Sequence, residues 1–126
     1  MTGPVNLWRR KFGDAIRGCR GAFAGEISFH VHLSVAALVI ALAAWLGIEP
    51  WRWAAVIVCI AGVIAAELLN TAIEGLAAAV HPSHDSGVGR ALDAAAGAVL
   101  VWAIGSVAVG LVALAGPLIR ALGWMS

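Results

Sequence analysis

Glu67, Asn70 and Glu74 stand at positions i, i+3 and i+7. At about 100° per residue they share one stripe of roughly 60° on a helix. The stripe follows an uncharged run from Trp53 to Ala66, so these side chains belong at or near membrane depth. A carboxylate there costs about 2.5–3.5 kcal/mol on insertion scales, and two on one stripe repel each other. Such a stripe calls for a cation or a proton. Counting the spans places two further acids, Glu26 and Asp93, on the same side of the bilayer. Four carboxylates and Asn70 thus gather at one membrane edge. Oxygen donors of this kind suit Mg²⁺, above all Mg²⁺ arriving with a polyphosphate.

The elements that must hold these residues are written in the gaps between charges. Of 126 residues, 62% are hydrophobic and 12% charged, with a mean hydropathy of +0.95. Soluble domains average roughly 45–50% apolar and about 25% charged, so the composition argues against a water-soluble single domain. The net charge of +1 supplies no field to recruit nucleic acid. No charge occurs from Leu33 to Ile48, from Trp53 to Ala66, or from Ala94 to Ile119. Spanning a bilayer takes roughly 17–25 mostly apolar residues. The expectation is an all-α integral membrane protein of one domain, 1–126, with spans over 29–48, 53–80 and 92–116. Glu49-Pro50 marks one turn and His81 to Gly87 the other, with Pro and Gly at the breaks.

The N-terminal segment follows a different pattern. Trp8, Phe12, Ala15, Ile16, Cys19 and Phe23 fill an arc of about 100°, and Arg9, Arg10, Lys11, Asp14, Arg17 and Arg20 fill the rest. This predicts an amphipathic helix over 5–26 lying in the membrane interface, its basic face toward anionic headgroups. It lacks the continuous apolar core and cleavage pattern of a signal peptide. Five basic residues precede the first span and Arg90 lies in the second turn, against Arg52 and Arg120 on the other side. The positive-inside rule then puts the N-terminus and the acidic cluster on the cytoplasmic face.

Other chemistries find little support. There is no phosphate-binding glycine loop and no nucleophile elbow. Cys19 and Cys59 are far apart and read as inert buried thiols. His30 and His32 diverge by about 200° on a helix, which suits no shared metal. The histidines read as interfacial, with His84 the one expected to touch a ligand.

The phrase Glu67-Leu68-Leu69-Asn70-Thr71-Ala72-Ile73-Glu74 resembles the signature of the small prokaryotic integral-membrane diacylglycerol kinase family, which includes undecaprenol kinases. Arg17-Gly18, then Glu26 with Phe29, His32 and Leu33, resembles the family's first block, and Asp93 to Val99 the start of its third span. The likeness runs from about Phe12 to Val112. It implies a homotrimer with active sites built between protomers in the bacterial inner membrane, taking ATP as phosphoryl donor and a lipid alcohol, diacylglycerol or undecaprenol, as acceptor. It implies Glu67 as the catalytic base and Asn70 as the polar residue between base and metal. It implies Glu26 and Glu74 as the Mg²⁺ pair on the ATP phosphates. His84, Asp85 and Asp93, with Asp14, Arg10 and Arg17 from the N-terminal helix, fall where the family contacts nucleotide.

Two positions depart from the family pattern. Leu92 stands where a Lys usually precedes Asp93, and Ala78 stands where an Asp follows the second Glu. Arg90 can supply the missing cation only if the third span's helix starts at or after Leu92. Alternative readings are a catalytically altered relative, a small ion- or proton-translocating subunit, or a regulatory subunit. Against translocation, the acids collect at one interface and form no relay across the bilayer.

Overall fold

A computed structural model describes residues 3–123 and consists of four helices: α1 (Pro4–Gly25), α2 (Ile27–Leu46), α3 (Pro50–Val80) and α4 (Ser86–Ala121). No strand occurs among the described residues. α2, α3 and α4 are each long and apolar enough to cross a membrane. α1 is the amphipathic helix, with its apolar residues Trp8, Phe12 and Ile16 exposed. This is an all-helical, multi-pass membrane protein.

Against the expected 5–26, 29–48, 53–80 and 92–116, the end at Val80 coincides and the other helix ends shift; the principal shifts have local causes. Glu26 is extended (φ −117°, ψ 124°) and divides α1 from α2. Gly47 adopts the left-handed conformation (φ 59°) and ends α2. Its N–H bonds Ala44 O at 3.2 Å and that of Ile48 bonds Ala43 O at 3.4 Å, the paired closure of a Schellman motif. Ile48 then folds back into the apolar cluster around Ala43. α3 begins at Pro50, because a first-turn proline lacks only an N–H that has no helical partner anyway. α4 begins six residues before the expected start. Asp85 Oδ1 accepts from the N–H groups of Gly87 (2.8 Å) and Val88 (2.9 Å), which turns a loop-like sequence into a capped helix start.

α3 and α4 form the principal antiparallel pair, with α2 packed alongside α3. At about 1.5 Å per residue α3 and α4 are roughly 46 and 54 Å long, against a hydrocarbon core of about 30 Å. α2 alone matches that core. At the proximal end, where α2 starts, α3 ends and α4 starts, α3 and α4 overhang. α1 packs at this end through Phe23, whose ring meets the fully buried Phe29 edge-on at 4.9 Å.

The packing seams have spacings of three and four. On α2 the inward series is Phe29, His32, Ala36, Val39, Ala43 and Leu46; on α3 it is Trp53, Val56, Ile60, Val63, Glu67 and Asn70. Close approach of α3 and α4 occurs at Gly62, where an added Cβ would overlap the Trp102 indole. The Trp102 N–H (3.3 Å) and the Ser106 hydroxyl (3.5 Å) both donate to Cys59 O. Small residues and shared polar contacts are how helices associate where lipid removes the hydrophobic incentive.

Pro117 lies inside α4 and is buried. A helical proline leaves the carbonyl four residues earlier without its N–H, here that of Ala113. Arg52 Nη1 donates to Ala113 O at 2.7 Å. The orphan created by one helix is therefore satisfied by a side chain from the next, and α4 continues to Ala121.

Candidate active site

The inward seam of α3 changes character part-way along. From Trp53 to Val63 it is apolar; its next positions in the same register are Glu67, Asn70 and Glu74. The acidic stripe is thus the continuation of the packing face toward the proximal overhang. Burial decreases along it. Glu67 is 6% exposed, Asn70 is half-buried and Glu74 is exposed.

Glu67 Oε1 lies 3.1 Å from His32 Nε2 on α2. Asn70 Nδ2 donates to Glu74 Oε1 at 2.8 Å, one helical turn on. Asn70 Oδ1 is buried and has no hydrogen-bond partner among the described residues. An unpaired buried acceptor costs free energy comparable to a lost hydrogen bond, so this oxygen has the capacity to accept one more donor.

The other expected site residues are distributed around this stripe. Glu26, half-buried, sits at the α1–α2 break, and Asp93 is exposed on the first turns of α4. Asp85 Oδ1 is engaged in capping α4, and His84 is exposed beside it. In that loop His81 Nδ1 lies 3.0 Å from Ser83 O. Arg10, Asp14 and Arg17 line a shallow groove on the polar face of α1, together with Asn6, Arg9 and Gly13, and Arg17 pairs with Asp14. Among the described residues no three His, Cys, Asp or Glu side chains converge as a metal centre. Since α4 starts at Ser86, Arg90 and Leu92 are both helical and point about 200° apart. Arg90 is exposed while Leu92 is half-buried, so the condition under which Arg90 replaces a lysine at 92 is not met.

Sequence reasoning missed His32 as a partner of Glu67, reading it as an interfacial histidine. The signal was present: it occupies the α2 seam between Phe29 and Ala36 as the one polar member of that series.

Comparison with known proteins matches residues 13–114 to the family model for prokaryotic diacylglycerol kinase. The chain belongs to that family. Among curated proteins, undecaprenol kinase of Bacillus subtilis (strain 168) is 33% identical over 107 residues, covering 85% of this chain and 87% of the relative. The protein is therefore a membrane lipid kinase, and membership implies ATP as phosphoryl donor. The translocating and regulatory alternatives are not favoured.

Proposed function

We propose that this kinase transfers the γ-phosphoryl group of ATP to the terminal hydroxyl of undecaprenol, with Glu67 as general base. The observation that carries the reading is the burial of Glu67 on the packing face of α3, within a helix long and apolar enough to cross a membrane. A hydroxyl dissolved in the bilayer reaches such a group by lateral movement. The choice of undecaprenol rests on the name of the Bacillus subtilis relative; diacylglycerol is the second acceptor to test.

As the lipid oxygen attacks phosphorus in line, its O–H bond breaks and the proton passes to the Glu67 carboxylate. A P–O bond to the lipid forms, the bond to the β-phosphate oxygen breaks, and ADP leaves. Asn70 stands one turn beyond the base, with Oδ1 free to accept from the bound substrates. Glu26 and Glu74 are the residues that would hold Mg²⁺. Their oxygen-only chemistry fits an ion that keeps most of its waters and binds through one or two carboxylates plus substrate phosphates. The bound ion supplies charge neutralisation to the transferring phosphate. Arg10, Asp14 and Arg17 on α1, with His84, Asp85 and Asp93, frame the nucleotide. The count of six basic residues against two supports a cytoplasmic site. The incomplete cluster within one chain supports a homotrimer whose sites are shared between protomers.

Labelled-ATP transfer in detergent micelles, with undecaprenol and diacylglycerol offered in parallel, tests the reading. Label is expected in undecaprenyl phosphate, and transfer to neither alcohol would overturn it. A Glu67→Gln chain mixed with a Glu26→Gln chain is expected to recover part of the activity. Mixtures that exchange subunits yet stay inactive would argue for self-contained sites.

A further inference from the structure

The inward series of α2 is apolar except at one position. Phe29 and Ala43 are fully buried, Ala36 and Val39 are buried or half-buried, and His32 lies between them in register. Its Nε2 lies 3.1 Å from Oε1 of Glu67, the two side chains being 24% and 8% exposed. His30, two residues earlier, is exposed and turned away. Oε2 of Glu67 has no hydrogen-bond partner among the described residues.

We propose that His32 is the positioning residue for the catalytic base. It donates its Nε2–H to Oε1, fixes the Glu67 rotamer, and leaves Oε2 as the single oxygen turned to the acceptor hydroxyl. The proposal rests on the kinase reading above, in which Glu67 takes the lipid proton. His32 takes no proton in this scheme; the proton goes to Oε2. Two physical facts carry the argument. A carboxylate in an apolar seam needs a donor, since an unpaired buried charge is strongly unfavourable. A general base is efficient only when held at hydrogen-bond reach of the proton it removes. The pair also ties α2 to α3 near the depth where the seam turns polar, so base orientation and helix packing are set by the same contact.

Two variants separate positioning from packing. His32→Leu keeps the seam apolar and removes the donor. His32→Gln keeps a donor, because the amide nitrogen of Gln is the same number of bonds from the backbone as Nε2. With undecaprenol and labelled ATP in micelles, His32→Leu is expected to lower kcat about ten- to a hundred-fold, as loss of a hydrogen bond to a charged group predicts. KM for ATP is expected to stay within about two-fold, since ground-state binding does not use the pair. His32→Gln is expected to recover most of kcat. In a Glu67→Gln background, His32→Leu is expected to change the residual rate little. Thermal midpoints in the same micelles show whether each chain is folded; if His32→Leu is not, His32→Gln alone decides by its kcat. Wild-type kcat in His32→Leu, with Glu67→Gln inactive, would overturn the positioning role and leave the base assignment standing. Equal loss in His32→Gln and His32→Leu would also overturn it. Full turnover in Glu67→Gln would remove the base reading itself, and the proposal with it.

Discussion

The two ends of the helical bundle treat polar groups in opposite ways. At the distal end, where α2 turns into α3, Glu49 accepts from Arg52 Nε and from the Trp51 indole, both at 2.9 Å. Arg52 also lies over the Trp51 ring and donates to the carbonyl that Pro117 leaves free. Every group named there has a partner within the chain. At the proximal end Asn70 Oδ1 is buried without one, Glu74 and Asp93 are exposed, and Glu26 sits at a helix break. Satisfied polar groups hold an architecture together. Groups held in place but left unsatisfied are available to a substrate.

The strongest contrast is in turnover. Glu67→Gln is expected to lower kcat by about 10²–10⁴-fold, the typical contribution of a general base, with little change in thermal midpoint. Glu26→Gln and Glu74→Gln are expected to act first on KM for Mg²⁺-ATP, because phosphate-bound metal is held in the ground state. Arg52→Ala at the other end is expected to lower the thermal midpoint and leave KM for ATP unchanged. Steady-state kinetics and thermal unfolding in the same micelles check all four. Wild-type KM in both Glu26→Gln and Glu74→Gln would break the metal assignment.

Between the two ends lies the α3–α4 contact at Gly62. Gly62→Ala drives a methyl group into the Trp102 indole, and overpacking of this kind costs about 1–3 kcal/mol. The double variant with Trp102→Ala is expected to recover part of the loss, since the obstacle has been removed. An unchanged thermal midpoint in Gly62→Ala would show that the helices are not in close contact there.

The sequence carried the proximal end better than the distal one, for a physical reason. Charge spacing along one helix is visible in the chain itself, so Glu67, Asn70 and Glu74 announce a shared face. A contact between helices is not visible in this way. The bond from Arg52 to Ala113 O crosses 61 positions, and nothing in the residues around Pro117 says which donor will cover its orphan. His32 and Glu67 are 35 positions apart and meet only because both fall on inward seams. The start of α4 is hidden in the sequence because a side-chain cap decides it. Asp85, Ser86 and Gly87 have the composition of a loop, yet Asp85 caps and the helix begins.

The Arg52–Pro117 relation is testable by a double-mutant cycle. Arg52→Met in the wild-type chain loses a charged hydrogen bond to a carbonyl that has no other donor, a loss of about 1.5–3 kcal/mol. In a Pro117→Ala background the restored N–H of residue 117 takes Ala113 O as its helical acceptor, and Arg52→Met is expected to cost clearly less. Identical costs in the two backgrounds would mean that Arg52 acts through Glu49 and Trp51 alone.

The smallest effect concerns Glu49 and its pH dependence. The hydrogen bond from Arg52, then that from Trp51, holds the Glu49 carboxyl below its ordinary value of 4.5, with a lesser contribution from the charge of Arg120. A group whose folded pKa is depressed adds stability above its unfolded pKa and loses it as pH falls through the folded one. The carboxyl is fully exposed, so solvent and salt screen the pair and the effect is small. Comparing wild type with Glu49→Gln isolates it, because the proximal carboxylates titrate in both chains and cancel in the difference. The thermal midpoint of the wild type is expected to exceed that of Glu49→Gln near pH 7. That gap is expected to close as the sample is acidified below the carboxylate range, and to narrow at high salt. A gap that stays constant with pH would show that Glu49 serves the distal end by shape and neutral hydrogen bonding, which Gln reproduces only in part, and not by charge.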